Sequence, residues 1–143
     1  MPAPLTQAQT VLEIATRGTG FVDITAEVDR WLAGSGITTG LATLFLQHTS
    51  AGLTVQENAD PDVLRDLTTH LERLAPRDPG LYRHTLEGPD DMPAHIRSSL
   101  TGVSLTIPVG GGRLLLGTWQ AVYVCEHRAS PHRRRVVVHV TGA

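Results

Sequence analysis

The stretch "ITTGLATLFLQH" constrains the fold more than any other part of the chain. Apolar residues recur there at every second position, so Ala42, Leu44, Leu46 and His48 share one face of an extended segment. Period two is the mark of a half-buried strand. The segments "TVLEIAT", "GFVDI", "VSLTIPV", "RLLLGT", "WQAVYVCEH" and "RRVVVHV" also read as strands, most of them bounded by turn-forming residues. The turn Arg17-Gly18-Thr19-Gly20 predicts that the first two form a hairpin. "VGGGR" at 109–113 predicts a second hairpin, because it lacks the lysine and hydroxyl that a phosphate-binding glycine loop needs.

Helical spacing interrupts this pattern in three places. Ile24, Val28, Trp31 and Leu32 lie behind a candidate cap at Thr25 and predict a helix over 25–34 that stops at "GSG". Asp60 is a good N-cap with Pro61 at the first helical position, followed by an apolar stripe of Leu64, Leu67, Leu71 and Leu74 and a stop at Pro76. A short helix is expected around "PAHIRSSL". About eight strands with two or three helices predict one α+β domain, an antiparallel sheet or sandwich carrying helices, with residues 1–7 as a loose tail.

Charge and cysteine content narrow the function classes. The chain has no lysine, and 12 arginines stand against 14 acidic residues for a net charge of -2, a balance that favours neither nucleic acid nor a membrane surface as partner. Cys125 is the sole cysteine, so no internal disulfide forms, and "MPAPLTQAQT" lacks the basic and apolar regions of a signal peptide. No apolar run approaches the ~18 residues needed to span a bilayer. A soluble cytoplasmic protein is the expectation.

Of the seven histidines, His70, His132 and His139 fall on polar faces or in an arginine-rich turn and read as surface residues. His48, His84 and His95 each sit where an element ends or a polar loop begins. Three histidines from separate elements can hold zinc with a fourth position open to water or substrate. Their spacing matches no zinc-finger or H-E-x-x-H pattern, so on spacing alone satisfied polar histidines are the plainer reading. Ser50 in "HTSAG" has no nucleophile elbow around it. "HRRRV" is either a solvated charge run or a phosphate site, since guanidinium forks bind phosphate by paired hydrogen bonds.

The blocks "FLQHTSAGLTVQENADPDV", "YRHTLEGPDDMPAHIRSSLTG", "GRLLLGTWQAVYVCEHR" and "RRRVVVHVTG" occur in that order. Together they closely resemble the YjbQ-like family, also known as the secondary thiamine-phosphate synthase enzyme family, over nearly all of residues 8–142. The resemblance implies an α+β antiparallel β-sandwich, a homotrimer, and a metal site built from His48, His84 and His95. Zinc is the expected divalent ion, with magnesium as the alternative. Glu57, Asn58, Asp60, Glu126, Arg134 and Arg135 also match family positions. Two positions depart from the family: His127 follows Glu126 as either a fourth nitrogen ligand or a residue on a wet strand end, and Asp91 stands where a variant of the family has another polar group, as a ligand or an orienting partner.

Two functions follow as expectations. In one, the protein is a metal-dependent enzyme on a small phosphorylated substrate, most concretely joining a pyrimidine pyrophosphate to a thiazole phosphate to give thiamine phosphate. Arg134 and Arg135 would neutralise charge and Glu126 or Glu57 would move protons. In the other, the chain forms a non-catalytic trimer that binds a metal or small ligand. Under either function Ser50, Ala51 and Gly52 would let backbone approach a bound group, Asp60 would cap its helix, and Trp119 and Gln120 would be structural or interface residues, with Trp119 buried against a neighbouring element or subunit.

Overall fold

The computed structural model describes residues 3–143. In chain order the elements are β1 (Thr6–Ala15), β2 (Gly20–Asp23), α1 (Thr25–Gly34), β3 (Gly40–Leu46), β4 (Ala51–Glu57), α2 (Pro61–Leu74), α3 (Asp91–Thr101), β5 (Ser104–Gly110), β6 (Arg113–Leu114), β7 (Gln120–Glu126) and β8 (Arg133–Gly142), with a 3-10 turn at Pro79–Leu81 before α3. The strands make two antiparallel sheets, one ordered β1-β8-β3-β5-β6 and the other β2-β7-β4. Their facing sides bury Ala42, Leu44 and Leu46 of β3 and Val136, Val138 and Val140 of β8 with Leu53, Val122 and Val124 of the smaller sheet. This is the α+β sandwich that the alternation predicts.

Strand β7 runs down the centre of the smaller sheet and is buried on both faces from Ala121 to Glu126. Its apolar run is therefore nearly continuous, as expected for a strand covered on both sides. Helix α1 adds Ile24, Val28 and Leu32 to the core. Thr25 does not cap it: the Thr25 hydroxyl accepts from the Val122 amide at 2.9 Å, and Asp23 accepts from the Thr25 amide at 2.9 Å. Asp60 does cap α2, accepting from the Asp62 amide at 2.9 Å. The leucine stripe of α2 is only half-covered, and Leu74 is 54% exposed.

Three further expectations are corrected. The first two strands do not pair: β1 joins β8 and β2 joins β7, because the chain crosses between sheets at Gly18, whose φ of 112° places it where a Cβ would meet the Ala129 carbonyl oxygen at 2.6 Å. "RLLLGT" contributes only Arg113–Leu114 to a strand, since the Gly117 amide turns back onto the Gln120 side chain at 2.8 Å. The loose tail ends before residue 6, because Thr6 and Gln7 pair with Gly142 and Thr141; residues 1 and 2 lie outside the described part. The glycine loop does make a hairpin, with Gly111 and Gly112 at φ 57° and 74° as a type I′ turn demands.

Candidate metal centre

Helix α3 opens on two aspartates. Residues four apart share a helix face, so Asp91 in the first turn lies beneath His95. The Asp91 Oδ2 atom is 3.0 Å from His95 Nε2 and 2.7 Å from Nε2 of His84, which enters from the loop after the 3-10 turn. Among the described residues, His84, Asp91 and His95 form one group whose ligand atoms all lie within 4.8 Å of one another. The two imidazoles meet edge to face at 5.5 Å.

Arg128, from the loop after β7, holds this carboxylate from behind. Its Nη1 lies 2.9 Å from Asp91 Oδ1, its Nε donates to Asp90 Oδ2 at 2.9 Å, and its Nη2 donates to the Glu87 carbonyl at 3.1 Å. Burial by itself would raise both carboxyls. For Asp90 the Arg128 fork and the Ala129 amide win and bring it down to about 2. For Asp91 the His84 bond and the nearby His95 and Arg128 charges also win, so it stays below the usual carboxylate range. Asp91 is thus an anion with one oxygen committed to Arg128 and the other facing two imidazoles.

The protonation of His95 tests what belongs there. Its Nδ1 lies 2.8 Å from the Thr49 carbonyl oxygen, which can only accept. The Nδ1 therefore carries a proton, and in the neutral ring Nε2 is a bare lone pair aimed at a carboxylate. A proton or a cation must lie between them. Zinc bonds of ~2.0–2.1 Å place tetrahedral ligand atoms roughly 3.3 Å apart, a small opening from the distances here. Two imidazole nitrogens and one carboxylate oxygen suit zinc, or iron(II), better than magnesium, which prefers oxygen alone. The backbone carbonyl that fixes the His95 tautomer is the usual outer partner of a metal-bound histidine.

His48 does not join this cluster. Its Nε2 accepts the Arg135 backbone N–H at 2.8 Å, so that lone pair is already used. Burial first, and then the Arg134 charge, lower its basicity. Glu126 and Arg134 are bound to each other deep between the sheets: Arg134 Nε donates to Oε1 at 2.9 Å and its Nη2 donates to Oε2, while Thr16 Oγ1 donates to Oε1 at 2.6 Å and the Arg128 amide to Oε2 at 3.1 Å. Burial would raise Glu126, but these bonds outweigh it and keep the carboxylate ionised. Neither group is free for substrate. Arg134 Nη2 also holds the Ser50 carbonyl and hydroxyl at 3.2 and 3.1 Å.

Glu57 lies at the opposite end of β4 from Ala51, roughly 20 Å along the strand. There it accepts from the Asp60 amide at 3.2 Å and steadies the start of α2. Arg135 keeps an exposed guanidinium with Glu13 at 3.6 Å, so it alone of the arginine pair can meet solvent anions. His127 is buried, bonded to Thr101 Oγ1 at 3.1 Å, and is neither a fourth ligand of the cluster nor on a wet strand end. Ala51 and Gly52 are small for the sake of α3: Ser98 donates to the Ala51 carbonyl at 2.7 Å, and a Cβ at Gly52 would strike Thr101 and the Gly102 carbonyl. Sequence reasoning missed Arg128. No local signal marked it, because a helix N-terminus already favours the Asp90-Asp91 pair and Arg128 lies 38 residues beyond Asp90.

A cleft of about 650 Å³ lies beside the cluster, with Phe45, Val103, His48, His95, Ser98 and Ser99 among the residues that line it. Fold and cluster together define a two-sheet α+β protein with a His–Asp–His group on the first turn of a helix, next to an open cleft. Residues 10–143 match the family model described as UPF0047 protein YjbQ-like, and the chain belongs to that family. It is 52% identical to the UPF0047 protein sll1880 of Synechocystis over 98% of this chain and 95% of that one. It is 44% identical to the UPF0047 protein YjbQ of Salmonella typhimurium over 94% and 97%. The conserved hypothetical protein TT1486 of Thermus thermophilus superposes with a TM-score of 0.82 at 47% identity over 90% and 97% of the two chains. A YbjQ-like protein of Sulfolobus solfataricus superposes at 0.88 with 23% identity over 98% and 100%, a likeness of fold. No helix among the described residues is long and apolar enough to cross a membrane.

Proposed function

We propose that the protein is a metal-dependent enzyme acting on a small phosphorylated substrate, with His84, Asp91 and His95 as the ligands of a divalent ion, zinc first. The observation that carries this reading is the convergence of His84 Nε2 and His95 Nε2 on one oxygen of the Asp91 carboxylate, at 2.7 and 3.0 Å, while His95 Nδ1 is fixed on the Thr49 carbonyl. Three protein donors leave an open side, which a catalytic site needs and a closed structural zinc site lacks. His84 is half-exposed and supplies that open side. A bound divalent ion would supply Lewis acidity toward a phosphoryl oxygen. The chain's own groups orient the site: Arg128 fixes Asp91, Thr49 fixes His95, and the exposed Arg135 is the cation available to neutralise phosphate.

Thiamine-phosphate formation from a pyrimidine pyrophosphate and a thiazole phosphate is the most concrete member of this class. It draws no support from Glu126, Arg134 or Glu57, which are committed elsewhere, so of the chain's own groups the histidines of the cluster are left to move a proton. We place the protein in the cytoplasm as a homotrimer. The assembly reading is supported by Val11 and Leu41, exposed on the outer face of the five-stranded sheet, and by Trp119 at 63% exposure. Metal analysis of purified protein, followed by a phosphatase and phosphoryl-transfer screen, tests the proposal. One equivalent of zinc together with turnover of a phosphate ester is the expected result. A bound metal with no turnover of any phosphorylated compound would favour the alternative, a trimer that only binds metal or a small ligand.

A further inference from the structure

We propose that His48 is a fixed, neutral hydrogen-bond donor that presents its Nδ1–H to a phosphoryl oxygen of a ring-bearing ligand seated in the 650 Å³ cleft. The proposal rests on the phosphorylated-substrate reading above and assigns a different task to a histidine that the family resemblance assigns to metal.

The tautomer follows from one contact. A backbone N–H can only donate, and the Arg135 amide points at His48 Nε2 from 2.8 Å. Nε2 is therefore the acceptor and Nδ1 bears the proton. The register enforces this geometry, because the Gln47 amide donates to the Arg135 carbonyl at 3.1 Å and so holds the end of β3 against β8. No described residue accepts from Nδ1, while the side chain lines the cleft. A neutral imidazole held in this way polarises an acceptor oxygen without titrating.

The rest of the cleft specifies what that oxygen is attached to. Ser98 and Ser99 donate to the Ala51 and His95 carbonyls at 2.7 and 3.2 Å, so toward the cleft both hydroxyls act as acceptors. Phe45 and Val103 supply apolar lining. A site that combines one imidazole donor, two hydroxyl acceptors and apolar lining suits a planar ring with a phosphoryl group. It offers little to a bare inorganic phosphate.

Phenyl phosphate is the probe, set against methyl phosphate, with zinc titrated separately. In the unaltered protein a long-range proton–nitrogen spectrum should show the proton of His48 on Nδ1, and phenyl phosphate should bind more tightly than methyl phosphate. In cadmium-loaded protein, metal–nitrogen coupling should be seen at His84 and His95 and not at His48. The His48→Phe variant should keep zinc affinity within about threefold and lose phenyl phosphate affinity by about tenfold or more. His48→Asn, whose amide nitrogen overlies Nδ1, should recover most of that loss. A proton on Nε2, metal coupling at His48, zinc loss in His48→Phe equal to that in His84→Ala, or equal affinity for the two phosphates would each overturn the proposal. If the unaltered protein binds phenyl phosphate through His48 but takes up no metal, the donor role stands and the metal reading fails.

Discussion

Replacing Glu126 by glutamine separates a structural carboxylate from a catalytic one. The Glu126 side chain is fully buried, and its partner Arg134 is 4% exposed. The glutamine side chain would keep the shape but remove the charge that neutralises the guanidinium, and its amide would place a donor against Arg134 Nε or Nη2. Breaking a buried pair by removing one partner costs about 3–5 kcal/mol. Thr16 and the Arg128 amide lose an anionic acceptor as well, which places the loss toward the upper end of that range. Against a total stability of roughly 5–15 kcal/mol this is a large fraction, readable by urea denaturation with an unchanged slope. The double variant Glu126→Leu with Arg134→Met removes both charges, and its loss should be smaller than that of the single variant, because a buried ion pair is often no better than well-packed apolar side chains. Zinc affinity should be unaltered in both. A Glu126→Gln protein as stable as the parent but inactive would refute this account and return Glu126 to the catalytic groups.

Burial lowers His127 to about 4, and the nearby Arg97 charge acts in the same direction. The unfolded chain then binds more protons than the folded one between about 6.5 and 4, so stability falls as pH drops through that window by about 3 kcal/mol; thermal melts of His127→Phe should show a flatter profile. Gly52→Ala should destabilise by about 1–3 kcal/mol or more, since the new methyl meets Thr101 and the backbone of Gly102 at 2.8 Å, and chemical denaturation will register it. Asp91→Asn should weaken zinc binding by at least about 10–100-fold in a competition titration, the range seen on losing even an outer partner. Light scattering should give the mass of three chains, and Trp119→Ala, which removes the most exposed aromatic of the chain, should shift that mass downward.

Much of the fold was legible because period-two alternation is a local signal. The bounds of α1, the cap at Asp60 and the glycine hairpin all follow from residues within one turn of each other. The first hairpin was misread because Arg17-Gly18-Thr19-Gly20 looks like any tight turn, and only the distant Ala129 carbonyl shows that the chain there changes sheets. The site divides in the same way. His84, Asp91 and His95 lie within twelve residues, and the four-residue step from Asp91 to His95 is readable as one helix face. His48 is 87 residues from Arg135, and the contact that occupies its nitrogen is set by the β3–β8 register, which no local pattern encodes. Glu126 and Arg134 entered as candidate chemistry through the family resemblance and the arginine run; their burial against each other is a fact of packing.

The same contacts link the site to the assembly of the fold. Asp90 and Asp91 open an eleven-residue helix, where the helix dipole favours anions. Arg128 ties both to the end of β7, and Thr49 ties His95 to the start of β4. The cluster is therefore the joint between α3 and the smaller sheet. A divalent ion bound there would couple His84, the one ligand outside the helix, to that joint, and the ordering of residues 79–90 would follow metal occupancy. At a free concentration about 100 times the dissociation constant, such an ion adds about 2.7 kcal/mol to stability. Amide exchange should slow in the 79–90 segment and at the first turn of α3 when zinc is added, and remain unchanged in β1 and β8. Uniform slowing across the chain would mean that the ion stabilises the whole domain without acting through this joint.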